Sequence, residues 1–166
     1  NFSRPVDINK VENSKPLHEQ SCAFGHCVRT AYIYSGATDV IRATGAGDLT
    51  SGINRLWKSI VQGKMYLHGG TGNGTKAEMY DLPVAPTYSE CCANIAQAQW
   101  NHRLNLLSAD AKYAALVELE MFNSALSGIS LDGTKFFYSN KINIDGQKRK
   151  NKHSGVRETY LFCCPS

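Results

Sequence analysis

In "YSECCANIAQAQWNHRLNLL", residues 88–107, apolar side chains at Ala93, Ala96, Trp100, Leu104 and Leu107 recur at three- and four-residue intervals. That spacing predicts a helix from about Ser89 to Leu107 with one face turned to a core. Pro83 and Pro86 stand before it as breakers. Three chemically active side chains, Glu90, Cys91 and Cys92, crowd its entrance. The chain there can still be extended or turning, so Glu90 and Cys92, two apart, can point at one centre.

The same periodicity recurs elsewhere in the chain. Phe24, Cys27, Val28, Ala31 and Tyr32 predict a helix over residues 22–34, with Gly36 as its stop. Asp48 or Thr50 suits the cap of a second helix whose apolar face is Ile53, Leu56, Trp57 and Ile60. A fourth helix over residues 109–126 carries Leu116, Leu119, Phe122 and Leu126. "ISLDGTKFFYSN", residues 129–140, reads as a short β-hairpin about Asp132-Gly133. "YLHGGTGNGT", residues 66–75, reads as a flexible glycine-rich connection needing positive φ angles. It is no phosphate loop, because no Gly-Lys-Ser/Thr sequence closes it. The sum is a mainly α chain of helix pairs over residues 1–166, without an internal domain boundary.

A length of 166 residues with 42% hydrophobic and 19% charged residues suits one globular domain with a real core. The net charge of +4 is concentrated in "KINIDGQKRKNKHSGVR", at Lys141, Lys148, Arg149, Lys150, Lys152 and Arg157. No aromatic residues alternate with these charges to stack on bases, so the run reads as a solvated loop and no nucleic-acid partner is expected. No stretch approaches the roughly 18 apolar residues of a membrane span, and "NFSRPVDINK" lacks a signal-peptide core, which leaves no membrane partner and an open compartment. Asn1-Phe2-Ser3 and Asn73-Gly74-Thr75 fit the glycosylation pattern, but so short a pattern carries little weight.

Six cysteines are sparse for a disulfide scaffold of this length. Cys22 and Cys27, in a helical pattern, read as small buried hydrophobes. Cys163 and Cys164 are adjacent, and neighbours rarely bridge each other without strain. A zinc ion could accept Glu90, Cys92, Cys163 and Cys164 together, since it takes thiolates and carboxylates tetrahedrally. No C-x-x-C pair is present, and on spacing alone a metal site, a bland core and disulfides all stay open.

"HEQSCAFGHCVRTAYIYSGATDV", "KMYLHGGTGNG", "YDLP", "YSECCANIAQAQWNHRL", "LSGISLDGTKFFYSN" and the terminal "CCP" follow one another as in the β-L-arabinofuranosidases of glycoside hydrolase families 127 and 146, which the chain resembles from about residue 18 to its end. The resemblance implies part of an (α/α)6 toroid with a zinc-bound cysteine at its catalytic centre. It implies Glu90, Cys92, Cys163 and Cys164 as zinc ligands and Cys163 as nucleophile. Cys91 stands where the family usually has threonine and is left out of the site. His26 matches a sugar-contacting histidine and Tyr138 an active-site tyrosine. The acid/base glutamate of the family corresponds best to Glu78, twelve residues before Glu90, a shorter interval than the family's; Asp81 is the reserve. The bulky run in "ETYLFCCPS" also departs from the family's small residues there.

The expected function is therefore retaining hydrolysis of terminal β-linked L-arabinofuranosides on a glycan or glycoprotein. The resemblance also implies a longer enzyme, with more barrel upstream and β-sandwich domains beyond "CCP". Half a barrel would expose a wide apolar surface unless the remainder of the same enzyme covered it. Two other readings stand beside this one: a noncatalytic fragment or structural zinc module, and a disulfide-stabilised secreted domain.

Overall fold

The computed structural model describes residues 15–72, 82, 87–134, 140 and 142. Four helices, α1 (Cys27–Thr44), α2 (Gly47–Gly63), α3 (Cys91–Ser108) and α4 (Ala111–Leu119), follow a short 3-10 turn at Leu17–Glu19. A π-helical segment, Glu120–Ala125, and a 3-10 turn, Leu126–Gly128, extend α4.

The helix α1 begins later and runs further than its periodicity suggested. Its cap is His26, whose Nδ1 accepts from Val28 N at 3.2 Å. It passes through Gly36, which is exposed and where a Cβ would meet nothing within 4 Å. A mid-helix glycine costs only about 1 kcal/mol, and burial of Ala37, Thr38 and Ile41 beyond it outweighs that. The actual stop is Gly45 at φ +71, whose N–H reaches Ile41 O. Cys27 is buried as expected, whereas Cys22, outside the helix, is exposed.

Only Gly45 and Ala46 separate α1 from α2, so the two fold back on each other. Neither Asp48 nor Thr50 caps α2. Its N-cap is Ala46, and Thr50 Oγ1 instead donates back to Ala46 O at 2.8 Å. Ile53, Leu56 and Ile60 form the buried face, with Trp57 packed beside them. The segment before α1 lies across this helix. Arg55 donates to Gln20 O at 2.8 Å and His18 O at 2.6 Å, and a Cβ on Gly52 would come within 2.8 Å of Leu17 O.

Trp100 of α3 is fully buried, its ring 4.9 Å from that of Tyr34 and its Nε1 donating to Thr38 Oγ1 at 3.0 Å. Arg103 pairs with Asp39 at 3.0 Å. The second half of α3 thus faces the second half of α1, and the two helices run parallel. After α3, Ala109 adopts φ 52 and Asp110 caps α4 through Lys112 N, giving a tight antiparallel turn.

The apolar stripe expected along the fourth helix is not its buried face. Phe122 is 68% exposed and Leu126 is exposed, while Tyr113, Glu120, Ser124 and Ala125 are buried. A π segment spends more residues per turn than an α-helix, so side chains after Leu119 rotate off the 3.6-residue stripe. The β-hairpin is likewise not seen. Gly133 N donates to Ser130 O in a turn where one was expected, but the described residues contain no named strand, and the second arm, 135–139, lies outside them. No described helix is long and apolar enough to cross a membrane.

Glu120 is held inside this core by Asn101, whose Nδ2 donates to both carboxylate oxygens at 2.8 and 3.0 Å while its Oδ1 accepts from Trp57 Nε1 at 2.8 Å. Burial pushes the Glu120 carboxyl up to about 8, outweighing the lowering effect of the Asn101 bond. The folded state therefore keeps a proton that the unfolded chain releases near its ordinary carboxylate pKa. This contribution to stability is fully present below about pH 4.5 and is lost as pH rises through about 8. Glu120→Gln should make the variant gain in melting temperature relative to wild type as pH rises from about 5 to about 8. Parallel melting curves across that range would contradict a buried neutral carboxyl.

Candidate active site

At the entrance of α3 the residue Glu90 is the N-cap, extended at φ −96 and ψ 135, and its carbonyl accepts the first helical bond from Asn94 N at 3.0 Å. Its carboxylate does not cap the helix; it is 1% exposed and takes a hydrogen bond from Tyr88 OH at 3.4 Å. The two thiols that follow differ because successive helical residues turn by about 100°. Cys91 points inward, its Sγ 4.0 Å from Ala125 O, and a Cβ on Gly128 would lie 3.0 Å from it. Burial, reinforced by the Glu90 charge, pushes the Cys91 thiol up, leaving an inert protonated group. Cys92 is partly exposed and disulfide-bonded, whereas Cys22, Cys27 and Cys91 form no disulfide.

The glycine-rich connection packs against this corner and is no loose linker. Met65 bridges to Thr71, Tyr66 N donates to Gly70 O at 2.8 Å, and Gly69 N donates to Tyr66 O at 2.9 Å. Gly69 and Gly72 hold φ +85 and +134, the positive angles expected of them. A Cβ on Gly70 would fall on Ser89 Oγ and lie 2.6 Å from the His68 ring. One on Gly72 would touch Tyr88 at 3.3 Å and Cys27 Sγ at 3.7 Å. Gly72 thus lies where the entrances of α1 and α3 meet, one step from His26 and two from Glu90. Both helices direct the positive ends of their dipoles there, which favours anions and thiolates.

His26 spends Nδ1 as an acceptor in capping α1, so a neutral imidazole carries its proton on Nε2. The ring nitrogens of His68 are buried and find no hydrogen-bond partner among the described residues, and burial lowers its pKa, which leaves a neutral ring able to donate once and accept once. The sequence offered no sign of this beyond an imidazole inside a glycine run. Asn94, one turn beyond Glu90, was equally inconspicuous, yet its buried amide joins the loop to the corner.

Of the expected site residues, the structure brings His26, Glu90 and Cys92 to one end of the α1–α3 pair. Cys163, Cys164, Glu78, Asp81 and Tyr138 lie outside the described residues. Among the described residues no three His, Cys, Asp or Glu side chains form a metal-holding cluster. A buried carboxylate and a partly exposed sulfur nevertheless suit one side of a zinc site, given two more thiolates. Because a zinc-bound sulfur is a thiolate, zinc and a disulfide are alternatives for Cys92.

Known proteins resemble the chain in sequence and fold. The chain is 32% identical over 175 aligned positions to a non-reducing end β-L-arabinofuranosidase of Bifidobacterium longum subsp. longum, covering 99% of the chain and 26% of that protein. It superposes on the crystal structure of a GH127 β-L-arabinofuranosidase from Geobacillus stearothermophilus T6 with a TM-score of 0.88 and 32% identity, over 98% of this chain and 28% of the other. On a second GH127 β-arabinofuranosidase the TM-score is 0.82 at 35% identity, over 96% and 25% of the two chains. The chain therefore spans about a quarter of the length of these relatives. Its paired helices are the mainly helical portion of an (α/α)6 toroid. Residues 5–166 match the family described as "Beta-L-arabinofuranosidase, GH127 catalytic domain", and the chain belongs to that glycoside hydrolase family.

Proposed function

We propose that the protein releases terminal, non-reducing β-linked L-arabinofuranose from a glycan or glycoprotein with retention of configuration. The observation that carries this reading is the meeting of buried Glu90, Cys92 and the His26 cap at two parallel helix entrances, in a chain of this family. Glu90, Cys92, Cys163 and Cys164 would hold zinc. When bound, the metal would keep the nucleophilic sulfur deprotonated at neutral pH.

In the first step the Cys163 sulfur forms a bond to the anomeric carbon as the glycosidic C–O bond breaks, and Glu78 gives its proton to the leaving oxygen. In the second, Glu78 takes a proton from water, the water oxygen attacks the same carbon, and the C–S bond breaks. His26, donating from Nε2, and Tyr138 orient the sugar hydroxyls. The exposed Met121, Phe122, Leu126, Ile129 and Leu131 suit a surface covered by other parts of a protein about four times as long, the ratio seen in the relatives. The bonded state of Cys92 favours a second reading, in which oxidised cysteines only staple the fold.

The two terminal thiols should separate by role. Cys163→Ser should abolish turnover of an aryl β-L-arabinofuranoside while the protein stays folded, because a hydroxyl is a far poorer nucleophile. Cys164→Ser should weaken zinc binding, so that added zinc partly restores the rate. A cysteine-directed arabinofuranosyl mimic should label Cys163; labelling of Cys164, or robust activity in Cys163→Ser, would place the nucleophile elsewhere.

Glu78→Gln should slow cleavage of a natural disaccharide by at least about a hundredfold, with a smaller loss where the leaving group needs no proton. Near-normal rates on the disaccharide would remove Glu78 from the mechanism and turn attention to Asp81.

A further inference from the structure

Asn94 has no place in the chemistry above, yet it is fully buried and its side chain ties together three separated segments. Oδ1 accepts from Thr71 N in the glycine-rich loop and from Ser89 Oγ beside Glu90, each at 3.1 Å. Nδ2 donates to Ser124 O in the π segment, also at 3.1 Å. The orientation of the amide is dictated by its partners, since a backbone N–H can only donate and a carbonyl can only accept. Asn140 closes the ring, donating from its side chain to Ser124 O at 3.0 Å and from its backbone to Ser89 O at 2.6 Å. Ser89 is therefore held by both its side chain and its carbonyl. Asn94 N in turn binds the Glu90 carbonyl at 3.0 Å. Glu90 and Cys92 take their places from neighbours fixed on either side.

We propose that Asn94 is a positioning residue: its amide locks the glycine-rich loop, Ser89 and the π segment into one register and so presets the Glu90–Cys92 corner for a metal ion. Its side chain bonds Thr71, Ser89 and Ser124 and acts on the corner through them. The proposal rests on the reading of Glu90 and Cys92 as zinc ligands. Residues that orient ligands from behind typically change metal affinity by about 10–100-fold when replaced.

Two variants of the full protein test it. Asn94→Leu, close in shape, removes every side-chain bond; Asn94→Asp keeps an acceptor for Thr71 and Ser89 and loses the donor to Ser124. Zinc affinity by chelator competition should fall about 10–100-fold in Asn94→Leu, while the Thr71 amide loses hydrogen-exchange protection and α3 keeps its own. Asn94→Asp should retain Thr71 protection and lose less zinc affinity, which keeps the test open if the leucine variant does not fold. A role in stability alone would lower the melting temperature yet leave zinc affinity and the alkylation rate of reduced Cys92 at wild-type values in the folded variants, and that result would overturn the proposal. If wild type itself binds no zinc, the metal reading fails separately. The alkylation rate of reduced Cys92, altered if Asn94 positions the corner and unchanged if it does not, then decides.

Discussion

Everything at the candidate site depends on the parallel contact of α1 and α3, and that contact is organised by one side chain. Trp100 fills the space between the helices, stacks obliquely on Tyr34, and satisfies its indole N–H on Thr38 Oγ1. A ring of this size removed from a core costs about 3–5 kcal/mol, a large share of the roughly 5–15 kcal/mol that holds a domain together. Alanines at 93, 96 and 98 are buried along the same helix and leave room for close approach. Parallel helices put two N-termini side by side, so two positive dipole ends face one place. A carboxylate and a thiolate are the side chains such a place accepts most readily.

The local consequences follow from how each helix is entered. Glu90 gives its carbonyl to the helix and leaves its carboxylate for other work, whereas His26 uses its own ring as the cap. Cys91 and Cys92, chemically identical, are separated by direction: one is driven into the π segment and made inert, the other stays at the rim. Beneath them, Glu120 and Asn101 support the loop from the far side, since a Cβ on Gly69 would lie 3.0 Å from Glu120 Cγ. A loop so closely backed holds its shape because substitution at its glycines meets packed atoms.

The helix α3 was legible almost to the residue because its alanines, Trp100 and Leu104 repeat without interruption. Gly36 misled the placement of α1 because a stop and a tolerated exposed glycine look the same until the buried residues beyond it are weighed. Phe122 and Leu126 misled the facing of the fourth helix because periodicity assumes a constant turn, and a π segment breaks that assumption. At the site, Glu90 and Cys92 stood out by chemistry and position, and the family resemblance set Cys91 apart. Asn94 was hidden, since its partners lie 23 and 30 residues away and an asparagine in a helix announces none of them.

On the proposed reading, Cys92 and Glu90 belong to a zinc site shared with the terminal thiols. X-ray absorption at the zinc edge, on protein purified under reducing conditions with one zinc bound per chain, addresses it most directly. The expected spectrum is a four-coordinate shell of sulfur at about 2.3 Å and one oxygen at about 2.0–2.2 Å, with the carboxylate oxygen lost in Glu90→Ala. Protein without zinc after metal loading, with Cys92 unreactive toward alkylation until a reductant is added, would contradict it and leave the disulfide in its place.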